Sequence, residues 1–71
     1  MAEHARRLYA AITAMPEPAR SLLILRDIQE IDVATVATTL SLTENQVKVY
    51  TFRARRALRC RLEEESHEQV A

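Results

Sequence analysis

The chain has 71 residues, of which 48% are hydrophobic and 28% charged, and its formal net charge is zero. That length limits it to one small domain, and the composition is too apolar for a disordered chain while no apolar run is long enough to cross a membrane. Glycine is absent, which excludes glycine-rich phosphate-binding loops, and a single cysteine with two distant histidines provides neither a disulfide nor a set of metal ligands.

Enzymatic function is not expected, because the chain offers no nucleophile beside a base and no carboxylate pair in a plausible pocket. The amino-terminal stretch MAEHARRLYAAITAM lacks the continuous apolar segment of a secretory signal. We therefore expect a cytoplasmic protein with no cofactor, no metal and no membrane insertion. Ala, Leu, Arg and Glu dominate the chain, and β-branched residues do not alternate with polar ones, so the predicted fold class is all-α.

Two helices are predicted in the first half of the chain. Apolar residues three and four positions apart indicate an amphipathic helix from Glu3 to Met15. Pro16 and Pro18 in the stretch MPEPAR prevent this helix from continuing, because a proline lacks the backbone N–H and restricts the residue before it. Pro18 suits the first turn of a second helix, which leucine and isoleucine spacing extends to about residue 29 or 30.

A short third helix is predicted from Val33 to Leu40, with Asp32 as its N-cap. Ala37 is the small residue that allows a following helix to cross closely. Ser41 stands at the turn position where glycine is common, and a positive φ at this residue would cost about 1 kcal/mol.

A long fourth helix follows the turn. Thr43 with Gln46 fits a capping box, and Ser41 with Glu44 fits the same pattern, so its start is predicted within about two residues. A short helix, a three-residue turn and a longer helix make a helix-turn-helix, here over about residues 33–60. The predicted architecture is a four-helix domain that contains this motif.

The fourth helix has an apolar side and a basic side when its residues are placed at about 100° each. The inward side is predicted to hold Val47, Tyr50, Thr51, Ala54, Leu58 and Leu62. The outward side is predicted to hold Asn45, Lys48, Val49, Phe52, Arg53, Arg56 and Arg59. Residues 63–71 form an acidic tail that offsets the arginines, so a net charge of zero conceals a dipolar chain.

Two stretches resemble region 4 of bacterial sigma factors of the extracytoplasmic-function group, in the sigma-70 superfamily. AITAMPEPARSLLILRDIQEID is similar to the start of that region, and VATVATTLSLTENQVKVYTFRARRAL is similar to its helix-turn-helix and Arg-Ala-Arg segment. The resemblance covers residues 8–62. It implies that the fourth helix recognises the minus-35 promoter element in double-stranded DNA, that the first helices dock on the β flap of RNA polymerase, and that an anti-sigma factor captures the domain.

The resemblance implies that Lys48, Phe52 and Arg53 lie at the DNA, and that Arg55 and Arg56 continue the basic run. Arginine and lysine neutralise phosphates and can reach guanine edges, and apolar side chains suit thymine methyl groups. The expected DNA-binding residues are Thr43, Asn45, Lys48, Val49, Phe52, Arg53, Arg55, Arg56 and Arg59. The expected polymerase or anti-sigma contacts are Leu23, Ile24 and Ile28, for which a core role is an equal alternative.

Three positions depart from the family pattern. Val49 stands where a small polar residue is usual, Tyr50 where a basic residue often contacts phosphate, and Glu30 where a glycine is expected between helices two and three. Tyr50 lies at the edge of the inward side, which favours packing of its ring in the core with its hydroxyl at the rim.

Other interpretations stay open at this stage. The arginines could form a merely solvated face, although Val49 and Phe52 among them argue for a partner. A sigma-like protein-interaction module bound mainly by an anti-sigma factor, and a helix-turn-helix regulator of the LuxR type, are the alternative functions. A sigma factor also needs a domain that melts the minus-10 element, so we expect residues 1–71 to be an isolated domain of a longer sigma factor.

Overall fold

A computed structural model describes residues 3–70 of the chain and the side chains of residues 3–64. Helix α1 spans Glu3–Thr13, and helix α2 begins as an α-helix at Ala19–Leu22 and continues as a π-helical segment at Leu23–Ile28. Helix α3 spans Val33–Leu40, and helix α4 spans Glu44–Val70. The described residues contain no strand, and the predicted all-α, four-helix domain with a helix-turn-helix is confirmed.

The connection between α1 and α2 follows the two prolines. Helix α1 ends at Thr13, two residues before the predicted Met15, because Pro16 disfavours helical geometry just ahead of it. The Glu17 carboxylate accepts hydrogen bonds from the Ser21 N–H at 2.9 Å and the Ser21 hydroxyl at 2.7 Å. These two hydrogen bonds lower the pKa of Glu17 and tie the first turn of α2 to the connection.

The second half of α2 is wider than an α-helix. The Gln29 N–H donates to the Ile24 carbonyl at 2.9 Å, which is a bond to the fifth preceding residue. Arg26 connects this segment to the turn that follows it, since its Nη1 donates a hydrogen bond to the Ile31 carbonyl at 2.7 Å. The sequence predicted a helix here and gave no sign of the π-helical geometry.

Asp32 caps the start of α3, as predicted, and at its end the Ser41 N–H donates to the Thr38 carbonyl at 3.4 Å. The Asp32 carboxylate accepts from the Thr35 hydroxyl at 2.7 Å and from the Thr35 N–H at 3.0 Å, which lowers the pKa of Asp32. Ser41 ends the helix in the left-handed region with φ of 57°. Glu30 is the other non-glycine residue of positive φ, at 55°, among the described residues. Glycine, which lacks a Cβ atom, is the usual residue at both of these turn positions.

The core consists of two adjoining clusters that share α2. The first joins α1, α2 and α4 through the buried residues Ile12, Met15, Leu23 and Ala54. The second joins α2, α3 and α4 through Leu22, Val36, Ala37 and Val47. Leu22 and Leu23 are consecutive and both fully buried, one in each cluster. Helix α2 therefore packs against α1 through the first cluster and against α3 through the second, and α4 contributes a buried residue to each cluster.

Candidate nucleic-acid interface

The start of α4 is set by a reciprocal capping box. The Gln46 N–H donates to the Thr43 hydroxyl oxygen at 3.0 Å, and the Thr43 N–H donates to Gln46 Oε1 at 2.9 Å. The pair Thr43 and Gln46 therefore caps the helix, rather than Ser41 and Glu44. This cap fixes the direction in which α4 leaves the turn, and with it the positions of all later side chains on the helix.

The two sides of α4 have the burial that the sequence predicted. Val47, Thr51 and Ala54 are buried, and Tyr50, Leu58 and Leu62 are partly buried. On the opposite side, side chains are exposed at Asn45, Lys48, Phe52, Arg53, Arg56 and Arg59, while Val49 is half-buried. With its inner side packed in the core, α4 exposes a row of cations and one aromatic ring on its outer side.

Phe52 makes this surface different from an ordinary charged helix face, because a large apolar side chain is exposed among the cations. It is 60% exposed, although burying a phenylalanine side chain is worth about 1.5–3 kcal/mol. Its neighbours one turn away, Lys48 and Arg56, are also exposed. An apolar ring set between cations can contact thymine methyl groups in the major groove while the cations neutralise phosphates.

Arg55 differs from the other basic residues of α4. Its Nε donates to Asp27 Oδ2 at 2.9 Å and its Nη2 donates to Asp27 Oδ1, which raises the pKa of Arg55. Among the residues whose side chains are described, the other basic members of the expected DNA-binding set form no ion pair. Arg55 was predicted to bind DNA, but its partner could not be predicted from the sequence, because Asp27 and Arg55 lie 28 positions apart.

An apolar groove of about 560 Å³ lies along the other edge of α4. The connection between α1 and α2 forms one wall, and α4 forms the other. Residues that line it include Met15, Pro18, Tyr50, Ala54, Arg53 and Arg61. Tyr50 also packs against the second core cluster, which agrees with the predicted packing role for its ring. This groove could not be predicted from the sequence, because its walls come from segments distant in the chain.

The three expected partner contacts lie at different depths. Leu23 is fully buried and belongs to the first core cluster, so the core alternative holds for this residue. Ile24 is half-buried and packs against the same cluster. Ile28 is 44% exposed at the end of α2. Of the three, Ile28 is the side chain with the most surface available to a partner.

Other site types receive no support from the described residues. No group of three or more His, Cys, Asp or Glu residues in the described part of the chain could hold a metal ion. Cys60 and His4 are exposed on the surface. None of the helices, over the residues described, is long and apolar enough to span a membrane. The side chains of His67 and of Glu65 and Glu68 in the acidic tail lie outside the described residues.

Comparison with known proteins agrees with the helix-turn-helix fold. The family model described as sigma-70, region 4 matches residues 5–58, well over half of the chain. Searches of curated proteins and of solved structures found no match. Region 4 domains are DNA-binding regulatory domains, not enzymes, that recognise the minus-35 promoter element and bind RNA polymerase. The chain belongs to the sigma-70 region 4 family.

Proposed function

We propose that this domain directs RNA polymerase to its promoters by reading the minus-35 element with the outer face of α4, as part of a sigma factor of the extracytoplasmic-function group. The observation that carries the proposal is the exposed Phe52 set among exposed cations on a helix whose opposite side is locked into the core. A helix held this way can enter the major groove as a rigid body.

Different residues of the face have different roles in this proposal. Arg56 and Arg59, one turn apart, contact phosphates and supply affinity that falls steeply with salt. Lys48 reaches a guanine edge, Asn45 near the helix start takes an adenine edge or a phosphate, and Arg53 at one edge of the face contacts a phosphate. Val49 and Phe52 contact thymine methyl groups. The Thr43 hydroxyl accepts a hydrogen bond from Gln46, and its own O–H is available to donate to a phosphate.

We also propose the partners and the setting that this function requires. Ile28, exposed at the end of α2, and the half-buried Ile24 contribute to a surface for the β flap of RNA polymerase or for an anti-sigma factor. The domain acts in the cytoplasm, where promoter DNA and polymerase are found. It works beside a separate domain of a longer sigma factor that melts the minus-10 element.

A second candidate function is a protein-interaction module that an anti-sigma factor binds as its main ligand. The exposed Ile28 and the apolar groove beside α4 favour it, since apolar surface of this kind suits a protein partner. The exposed cations of α4 favour the DNA-binding function, because a module that never meets DNA has no use for phosphate-binding charge. The family match favours a sigma domain over the LuxR-type regulator.

The test compares two double variants with equal change of charge. Arg53→Ala with Arg56→Ala removes two cations from the outer face of α4, whereas Arg6→Ala with Arg7→Ala removes two from α1. Affinity for a labelled duplex is measured by fluorescence anisotropy across a series of salt concentrations. The α4 variant is expected to bind more weakly and to reduce the slope of log affinity against log salt by about 2.

The α1 variant is expected to keep the wild-type slope. Equal slopes for the wild type and both variants would show that the basic face of α4 is only solvated. In that case the anti-sigma-bound module becomes the better account.

A further inference from the structure

The ion pair between Asp27 and Arg55 joins the end of α2 to one edge of the proposed DNA-binding face. Asp27 accepts from two nitrogens of the same guanidinium, with 2.9 Å between Nε and Oδ2, and a second contact between Nη2 and Oδ1. The side chains remain 50% exposed at Arg55 and 32% exposed at Asp27. A paired contact of this kind fixes the plane of the guanidinium as well as its position.

The hydrogen bonds to Asp27 use only one edge of the guanidinium. An arginine side chain carries five N–H donors in a rigid plane. With Nε and one Nη2 hydrogen turned to Asp27, the edge made by Nη1 and the second Nη2 hydrogen points about 120° away in the same plane. That free edge is the one that matches the two oxygens of a phosphate.

The position of Arg55 on α4 suits a phosphate more than a base. At about 100° per residue, Arg53 and Arg55 lie on opposite edges of the face whose middle holds Asn45 and Phe52. The middle of a helix in the major groove meets base edges, and its two edges run along the sugar-phosphate strands. Asp27 approaches one of these edges from the π-helical end of α2.

We propose that Asp27 is a positioning residue for DNA binding, which holds Arg55 with its free N–H edge toward a phosphate at the border of the major groove. The inference rests on the proposed function of α4. It adds a residue outside the helix-turn-helix whose negative charge strengthens DNA binding instead of weakening it.

Two opposite effects of the Asp27 charge make the inference testable. A carboxylate close to DNA repels phosphates, so its neutralisation alone should tighten binding. If Asp27 positions Arg55, its neutralisation should weaken binding, because the freed arginine must be ordered anew each time DNA binds. The sign of the change therefore separates positioning from simple repulsion.

The experiment measures duplex affinity by anisotropy for Asp27→Asn, Arg55→Gln, the double variant, and Glu30→Gln as a charge-matched control on the nearby connection. Asp27→Asn is expected to lower affinity about threefold to tenfold and to reduce the salt slope by up to about 1, although it makes the domain more positive. Glu30→Gln is expected to leave affinity equal or slightly higher. In the Arg55→Gln background, Asp27→Asn is expected to cause no further loss.

Melting temperatures control for a merely structural effect. Asp27→Asn and Arg55→Gln break the same half-exposed ion pair, so each is expected to lower the melting temperature by no more than about 5 °C.

The inference is overturned if Asp27→Asn binds DNA more tightly. It is also overturned if Asp27→Asn causes the same loss of DNA affinity in the wild type and in the Arg55→Gln variant. If Arg55→Gln leaves DNA affinity unchanged while Arg53→Ala with Arg56→Ala weakens it, the inference fails and the proposed function stands. If the wild type shows no salt-dependent DNA binding, both fail.

Discussion

Ser41 and Glu30 hold left-handed backbone conformations, with φ of 57° and 55°, at the two turns that lead into α4 and α3. A side chain with a Cβ atom makes this region about 1–2 kcal/mol less favourable than the right-handed one. The unfavourable conformation occurs at both turns because each turn directs the next helix into its packed position. The turn residues thus carry strain that the packing of Ala37, Val47 and Leu22 offsets.

Replacing Ser41 by glycine is expected to stabilise the domain. Glycine relieves the strain but adds freedom to the unfolded chain, so the net gain is expected to be between zero and about 1 kcal/mol in the free energy of unfolding. Urea denaturation followed by circular dichroism provides the measurement. Thr38→Gly, at an exposed position inside α3, is the control and should lose about 0.3–0.5 kcal/mol, the difference between the helix propensities of threonine and glycine. A loss of stability in Ser41→Gly would contradict this account of the turn.

The Asp32 cap predicts a dependence of stability on pH. Hydrogen bonds from Thr35 place the pKa of Asp32 in the folded state below its ordinary value of 3.8. A lowered pKa in the folded state means that the cap contributes fully above pH 3.8 and loses its contribution as the pH falls through the folded pKa. Asn at the same position caps the helix about as well but does not titrate in this range.

Melting temperatures of the wild type and Asp32→Asn are therefore expected to be similar near pH 7. As the pH falls below about 3.8, the wild type should lose more stability than the variant. A difference between the two proteins that stays constant from pH 6 to pH 2.5 would show that Asp32 does not act as a charged cap.

At the scale of helices, α3 and α4 could be predicted from the sequence and the end of α2 could not. Asp32, Thr43 and Gln46 form caps through contacts no more than three residues apart, and the inner side of α4 follows from regular helical spacing. The π-helical segment and the pairing of Asp27 with Arg55 depend on how α2 packs against α4. Such tertiary contacts leave no periodic pattern in the sequence.

The crossing of α3 and α4 depends on the small size of Ala37, which is only 6% exposed. Ala37→Leu is expected to force the helices apart and to cost about 1–3 kcal/mol in the free energy of unfolding. Ala34→Leu adds the same atoms to an exposed position on α3 and should change stability by no more than about 0.5 kcal/mol. Thermal melts of both variants check the difference, and equal melting temperatures would show that the crossing tolerates a larger residue.

For the whole molecule, the formal net charge is zero, but the positive and negative side chains are not evenly distributed over the surface. Lys48, Arg53, Arg56 and Arg59 are exposed along one side of α4, while Glu63 and Glu64 follow on the same helix. A field of this kind attracts DNA to one face and becomes weaker as salt screens it. The sequence was sufficient to predict this face, because charge and helical period are both local properties. The groove beside Tyr50 needed the three-dimensional structure, since its walls meet only after folding.

The central claim is that the outer face of α4 is the surface that meets DNA. Nuclear magnetic resonance on the isotope-labelled domain, titrated with a promoter-length duplex at low salt, tests it residue by residue. We predict that amide shifts concentrate on residues 43–59, with the largest changes near Lys48, Phe52 and Arg56, and that they reverse at high salt. Shifts confined to α1, to Ile28 or to the groove beside Tyr50, with α4 unaffected, would contradict the account.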